Sequence, residues 1–343
     1  MKYSFKNDYS EGCHPRILEA LSRHNMSQQV GYGLDEFSQS VETIIQEKTQ
    51  CSVAKVHLVS GGTQANLIVI SSILRPYQSV ISATTGHIFT NESGAIEATG
   101  HKVHGVETPH GKLTPEHIQE VLDSHTNIPH QVMPKLVYIS NSTEIGTIYT
   151  RAELEKLSLF CKEKGLYLFM DGARLGHALT AEPNDLTLED IAHYTDVFYL
   201  GGTKNGALIG EAIVMTNPKL QDNFGFHIKQ KGAMLAKGRL LGIQFLELLR
   251  DDWYLELATH ANQQAMKLKK AFESLGYSFL ADTYTNQIFP ILKNSDIEHL
   301  SQYFDFYVWK PIDETTFAIR LITSWATPDD AVAHFIEILK KRK

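Results

Sequence analysis

From about residue 40 to residue 215, short apolar runs alternate with stretches whose apolar positions recur every three or four residues. The runs at 53–59, 79–82, 102–106, 135–140, 166–170, 197–200 and 207–215 have the length and content of buried strands. Helical patterns lie between several of them. One spans 151–164, with Leu154, Leu157, Leu159 and Phe160 at its apolar positions. This alternation predicts an α/β fold, a mostly parallel seven-stranded sheet flanked by helices. After about Gly238 the texture changes. Helix patterns over 239–250 and 253–275 precede aromatic, β-branched runs at 286–292, 306–310 and 316–323. Thr327-Pro328-Asp329-Asp330 then reads as a capped start for a last helix. The organisation expected is an N-terminal arm (1–20), packing on the small domain or on a partner, a large domain (21–238) and a smaller α+β domain (239–343).

Composition narrows the class. At 343 residues with 43% hydrophobic and 21% charged content, the chain suits an ordinary globular protein with more than one core. Net charge is 32 − 39 = −7, and acids and bases are interspersed, so nothing resembles a nucleic-acid footprint. The basic runs at 267–270 and 340–343 read as solvated helix faces or ends. Cys13, Cys51 and Cys161 are too few and scattered for a disulfide framework or a metal cluster, which points to a reducing, cytoplasmic setting. The start lacks the apolar core of a signal peptide, and no run approaches the ~20 apolar residues of a membrane span.

Two signatures carry most of the chemistry. Leu168-Phe169-Met170-Asp171-Gly172-Ala173-Arg174 is an apolar run ending in an acid, two small residues and a cation. Phe198-Tyr199-Leu200-Gly201-Gly202-Thr203-Lys204-Asn205-Gly206 is an apolar run that empties into glycines around one lysine. An acid and a lysine at the ends of two buried strands are what an enzyme needs to hold pyridoxal 5'-phosphate (PLP): the acid keeps the pyridine nitrogen protonated and the lysine forms the Schiff base. Alone, Lys204 reads as a turn lysine and Asp171 as a helix N-cap; together, in this order, they favour the cofactor.

Gly61-Gly62-Thr63-Gln64-Ala65-Asn66 follows the first strand and opens an apolar helix expected over 67–74, so its free N–H groups could cup a phosphate. Other nucleotide motifs fail on spacing. No Walker sequence is present, and Gly31-Tyr32-Gly33 does not sit in a strand-to-helix turn with a third glycine. His87 follows the second strand, where an aromatic ring could lie on the cofactor, although most of the 16 histidines must be ordinary surface or core residues. Arg320 is a cation inside a strand, which suits either a substrate carboxylate or a structural ion pair.

Taken in order, these segments resemble the threonine aldolases of the fold-type I PLP enzymes, in the group also labelled aromatic amino acid β-eliminating lyases. The resemblance covers roughly residues 5–245 and rests on Gly-Thr-Gln-Ala-Asn at 62–66, His87, Asp-Gly-Ala-Arg at 171–174 and Gly-Gly-Thr-Lys-Asn-Gly at 201–206. It implies Lys204 as the Schiff-base lysine, Asp171 at the pyridine nitrogen, His87 on the ring, and Gly62, Thr63 and Thr203 at the phosphate, with Gln64 and Ala173 alongside. Arg174 and Arg320 would hold the substrate carboxylate, helped by Asn7, while Tyr32 would reach a neighbouring subunit's site. A homotetramer, a dimer of dimers with shared active sites, is implied as well.

Two departures stand out. Asn141-Ser142-Thr143-Glu144-Ile145 replaces a common Glu-Asn-Thr-His-Asn, which puts Glu144 where a histidine would face substrate. Near 231–239 the usual Gly-Gly-Met-Arg is absent, leaving Lys231, Lys237 or Arg239 as the partner-subunit cation for phosphate, with Lys237 preferred. The activity implied is retro-aldol cleavage of L-threonine or L-allo-threonine to glycine and acetaldehyde, with His87, or else Glu144, as base for the β-hydroxyl. β-Elimination on an aromatic amino acid is the alternative.

Overall fold

The computed structural model describes residues 2–341; Met1, at the tip of the arm, and Arg342 and Lys343, the end of the last basic run, lie outside the described residues. The chain opens with a short strand, β1 (Tyr3–Ser4). A seven-stranded sheet follows, built from β2 (Lys55–Val59), β3 (Gln78–Ala83), β4 (Val103–Val106), β5 (Met133–Ser140), β6 (Tyr167–Asp171), β7 (Val197–Gly201) and β8 (Glu211–Met215). Its order is β2-β8-β7-β6-β5-β3-β4, and only β8 runs against its neighbours.

Successive residues of each strand feed opposite cores, as the period of two demands. Ile81, Val137, Leu168, Phe198 and Val214 face one apolar cluster. Their neighbours Val80, Leu136, Phe169, Tyr199 and Ile213 face the other. Strands buried on both faces read as continuous apolar runs, which is why they were visible in the sequence. The helix Arg151–Lys164 matches its predicted span: Thr150 and Glu153 form a capping box, and Gly165 ends it at φ 66°.

Boundaries elsewhere differ for physical reasons. The helix expected over 67–74 runs from Gly62 to Ile73, so the glycine turn is its first turn rather than its approach. The run 207–215 is a strand only from Glu211, because Gly206 and Gly210 take φ of 94° and 126° and turn the chain. The run 286–292 splits into β9 (Gln287–Ile288) and β10 (Ile291–Lys293), with Pro290 between them. The capped start read at Thr327 is a correction: the last helix, Asp329–Lys340, has Pro328 at its N-cap with no side-chain bond, and Thr327 Oγ1 instead accepts from Ser324 N–H at 2.8 Å.

The C-terminal segment adds β11 (Phe304–Asp305), β12 (Tyr307–Pro311) and β13 (Thr316–Ile322), with β13 pairing antiparallel to β9, β10 and β12. Its core gathers Leu268, Phe272, Ile319, Leu321 and Phe335, together with Phe5 from the N-terminal arm. β1 pairs with β11, so the arm is woven into this segment. The helix Arg239–Leu249 packs the other way, with Phe245, Leu248 and Leu249 in the sheet core.

Candidate active site

Strand register gathers the site. Ser140 lies opposite Asp171 across β5 and β6, and Glu211 lies opposite both Gly201 and Val59. The carboxyl ends of β2, β5, β6 and β7 therefore line up at one edge, where open parallel sheets bind ligands. A cavity of about 340 Å³ opens there, lined by Gly62, Thr63, His87, Glu144, Asp171, Ala173, Arg174, Thr203 and Lys204 among others. Nine of the residues singled out from the sequence thus meet in one space. The lining also includes Tyr9, Ser140, Tyr199 and Glu211, which sequence reasoning missed.

The glycines of the two signatures turn out to serve close packing. A Cβ on Gly172 would lie 1.7 Å from Tyr199 O, and one on Gly201 would lie 2.4 Å from Ala173 O. The ends of β6 and β7 close on each other only without those side chains. The lysine turn is pinned beyond that point: Gly202 and Thr203 N–H both donate to Gly210 O, and Asn205 Nδ2 donates to Tyr254 O at 2.6 Å. Lys204 is consequently held on a rigid loop. Burial and the neighbouring Arg174 push its ammonium below the ordinary lysine range, against the pull of Asp8, Asp171 and Glu211.

Asp171 is 4% exposed and held by donors on every side. Asn66 Nδ2 and Tyr138 Oη donate to Oδ2, and Ala173 N–H donates to Oδ1 at 2.9 Å. Burial would raise its pKa, but His87, Tyr138, Tyr199 and the Ala173 N–H outweigh it and keep the carboxyl below its usual value. A carboxylate preset in charge and direction is the result. Glu211 behaves oppositely: burial pushes it up to about 8, although Thr203, Lys204 and the Gly202 N–H pull against that.

His87 starts the short helix His87–Thr90 after a turn at Gly86, where a Cβ would meet Ser82 Oγ at 2.2 Å. Its backbone N–H donates to Glu144 Oε1 at 2.9 Å, and Ser140 Oγ donates to the same oxygen at 2.7 Å. Glu144 Oε2 is buried with no hydrogen-bond partner among the described residues. Burial raises the Glu144 pKa, opposed by Ser140 and His87. Burial lowers that of His87, but a hydrogen bond to Glu92 and the charge of Asp171 leave it raised overall.

Arg174 is engaged from outside the sheet. Its Nε and one Nη donate to Asp8 Oδ2 and Oδ1 at 2.7 and 3.0 Å, and Asn286 Nδ2 also reaches Oδ2 at 2.8 Å. Arg320, in β13, lies over the rings of Trp309 and Tyr307 at 4.5 and 5.4 Å. Its buried Nε has no hydrogen-bond partner among the described residues, and burial pushes the guanidinium down to about 10.

The remaining candidates stand apart from the lining. Gln64 Oε1 accepts from Ser60 N–H and Oγ, which ties the strand-to-helix turn. Asn7 Oδ1 accepts from Tyr9 N–H and Ser10 Oγ. Tyr32 is 52% exposed under Lys229, at φ 63°, beside the segment that carries Lys237.

A mostly parallel sheet with a fixed lysine and a preset carboxylate at its carboxyl edge is the architecture of fold-type I PLP enzymes. A Thermus thermophilus aspartate aminotransferase shares that fold, with a TM-score of 0.74 at 16% identity over 99% of this chain and 91% of the other. A β-eliminating lyase family model matches residues 8–295, and the chain belongs to that family. The low specificity L-threonine aldolase of Pseudomonas aeruginosa is 33% identical over 337 residues, 96% of this chain and 94% of the relative. A solved structure of Leishmania major threonine aldolase superposes with a TM-score of 0.97 at 49% identity, covering 99% of each chain.

Proposed function

We propose that this chain is a PLP-dependent aldehyde-lyase that cleaves L-threonine or L-allo-threonine into glycine and acetaldehyde. The observation that carries the reading is Lys204 and Asp171 facing one cavity from adjacent strand ends, each rigidly fixed. The relatives named as threonine aldolases favour this reaction over β-elimination on an aromatic amino acid.

The residues present fit PLP. Lys204 makes no ion pair within 4.0 Å among the described residues, and the helix at Gly62 starts without a side-chain cap, so its N–H groups stay open to an anion. Lys204 would bond the aldehyde carbon, Asp171 would meet the pyridine nitrogen and His87 the ring face. Gly62, Thr63 and Thr203 would take the phosphate, with Gln64 and Ala173 alongside and Lys237 from a partner subunit. When bound, PLP supplies a conjugated ring that accepts the electrons of the bond broken at the substrate α-carbon.

The protein's own groups do the rest. Arg320 and the free edge of Arg174 orient the carboxylate, assisted by Asn7 and by Tyr32 of a neighbouring copy, so that the Cα–Cβ bond is the one aligned for cleavage. His87 takes the β-hydroxyl proton; a histidine with a raised pKa returns it easily near neutral pH. Glu144, whose Oε2 has no hydrogen-bond partner among the described residues, stands next to it as the second candidate for that proton. The setting proposed is cytoplasmic, supported by three unpaired cysteines. No helix among the described residues is long and apolar enough to cross a membrane.

Incubation of the purified enzyme with L-threonine, L-allo-threonine, tryptophan and tyrosine, with D-isomers as controls, tests the reading. Acetaldehyde and glycine from the hydroxy amino acids are expected. Pyruvate from tryptophan or tyrosine without acetaldehyde from threonine would overturn it. Lys204→Ala is expected to abolish both cleavage and the yellow absorbance of the loaded protein; a variant that stays yellow removes Lys204 from its role.

A further inference from the structure

Behind His87 lies a carboxylate that the reaction as described does not use. Glu92 follows the short helix that His87 opens, and its side chain is fully buried. One of its oxygens, Oε1, sits 2.8 Å from His87 Nδ1 and accepts from Asn66 Nδ2 at 2.7 Å. The same Asn66 nitrogen reaches Asp171 Oδ2 at 3.1 Å. Asn66 stands between two carboxyl groups, so its NH₂ end faces them, and its own Oδ1 has no hydrogen-bond partner among the described residues. An unbroken line therefore runs from Asp171 through Asn66 and Glu92 to His87.

We propose that Glu92 is the positioning residue of His87: it fixes the imidazole with Nδ1 protonated and Nε2 open to receive the substrate's β-hydroxyl proton. The inference rests on His87 being the base, as argued above. With Oε1 as the common acceptor of the Asn66 N–H and the ring N–H, the proton in the short contact with His87 belongs to the ring. That choice of tautomer leaves the lone pair on Nε2. Glu92 Oε2 has no hydrogen-bond partner among the described residues. Asn66 ties the orientation of His87 to that of Asp171, so the proton acceptor and the carboxylate for the cofactor share one frame.

His87 is faced by Glu92, Asp171, Lys204 and, at its backbone, Glu144. Burial lowers its pKa, and Glu92 is the foremost group raising it. Removing that carboxylate lowers the folded pKa of His87, so the acid limb of the rate profile moves to lower pH.

Two measurements on the holoenzyme decide the matter. The ¹⁵N spectrum of His87 in the unmodified protein is expected to show Nδ1 protonated and Nε2 unprotonated at pH above the titration; the opposite tautomer overturns the proposal. Glu92→Gln can present its NH₂ to Nδ1 and invert the tautomer. It is expected to lower kcat by about 10²–10⁴-fold, leave KM within about threefold, and shift the acid limb of kcat downward while the yellow absorbance persists. A kcat profile superimposable on that of the parent overturns the proposal as well. Should the parent enzyme cleave no hydroxy amino acid, the functional reading fails by itself, and the ¹⁵N tautomer still decides the Glu92–His87 link.

Discussion

Arg320 makes no ion pair among the described residues, and its guanidinium lies over two aromatic rings. A guanidinium in that position is costly for the empty protein, since burial without a carboxylate is unfavourable and rings return only part of the hydration lost. Such a cost makes sense where an anion arrives with the substrate. Charge-assisted hydrogen bonds contribute about 1.5–3 kcal/mol, so Arg320→Met is expected to lower kcat/KM on the order of 10–100-fold, mostly through KM. Its melting temperature should hold or rise, because the variant no longer buries an unpaired charge. Steady-state kinetics and calorimetry on the same preparation separate the possibilities; an unchanged KM with a large fall in melting temperature would make Arg320 a structural residue. Arg320 was visible in the sequence because a lone cation breaks an apolar strand. Glu92, Tyr138 and Asp8 were not, and Asn66 and Tyr199 stood inside the motifs without a role, since each looks ordinary in its own segment and gains meaning only from what the sheet brings against it.

At the scale of elements, the N-terminal arm ties the two parts of the chain. β1 pairs with β11, Ile322 N–H donates to Phe5 O, and Asp8 then joins Arg174 of the sheet edge to Asn286 beside β9. Asp8 is completely buried, and although burial would raise its pKa, Arg174 and Lys204 hold it far below the usual carboxylate range. A depressed folded pKa means that the stabilisation is complete above the unfolded value of about 3.9 and is lost as pH falls toward the folded value. Asp8→Asn strands a buried guanidinium and is expected to cost about 3–5 kcal/mol at neutral pH. Below about pH 4 the parent should lose that advantage, and the two unfolding curves should converge. Denaturant unfolding of both proteins across that pH range checks it; parallel curves at all pH values would show that Asp8 is not the titrating partner. The sheet itself was legible because its strands are apolar on both faces and its helices carry clear caps, as at Thr150 and Gly165. The short C-terminal strands were blurred, because Pro290 divides one apolar run without changing its composition.

For the whole molecule, the telling residues are those that stand outside their own cavity. Tyr32 is turned outward and braced beneath Lys229, while Gly31 fits against Ala236 so closely that a Cβ would lie 2.7 Å from its carbonyl oxygen. Val30, Leu34 and Phe226 are exposed by 63%, 63% and 75%, beside a groove lined by Leu34, Ile228, Met234 and Leu241. Apolar side chains at that density on one surface call for a cover; the occupant proposed is a second copy, which would also give Tyr32 and Lys237 a site to serve. Assemblies at multiples of 38.6 kDa are therefore expected by light scattering. The sharper test is complementation: Lys204→Ala keeps a sound outer surface and lacks the lysine, whereas Lys237→Ala keeps the lysine and lacks the outward cation. Each is expected to be impaired alone, and mixing them under conditions that exchange subunits should recover part of the activity, because one hybrid site then holds Lys204 from one copy and Lys237 from the other. A mixture no better than the average of its components, together with a mass of 38.6 kDa in solution, would mean that each copy completes its own site.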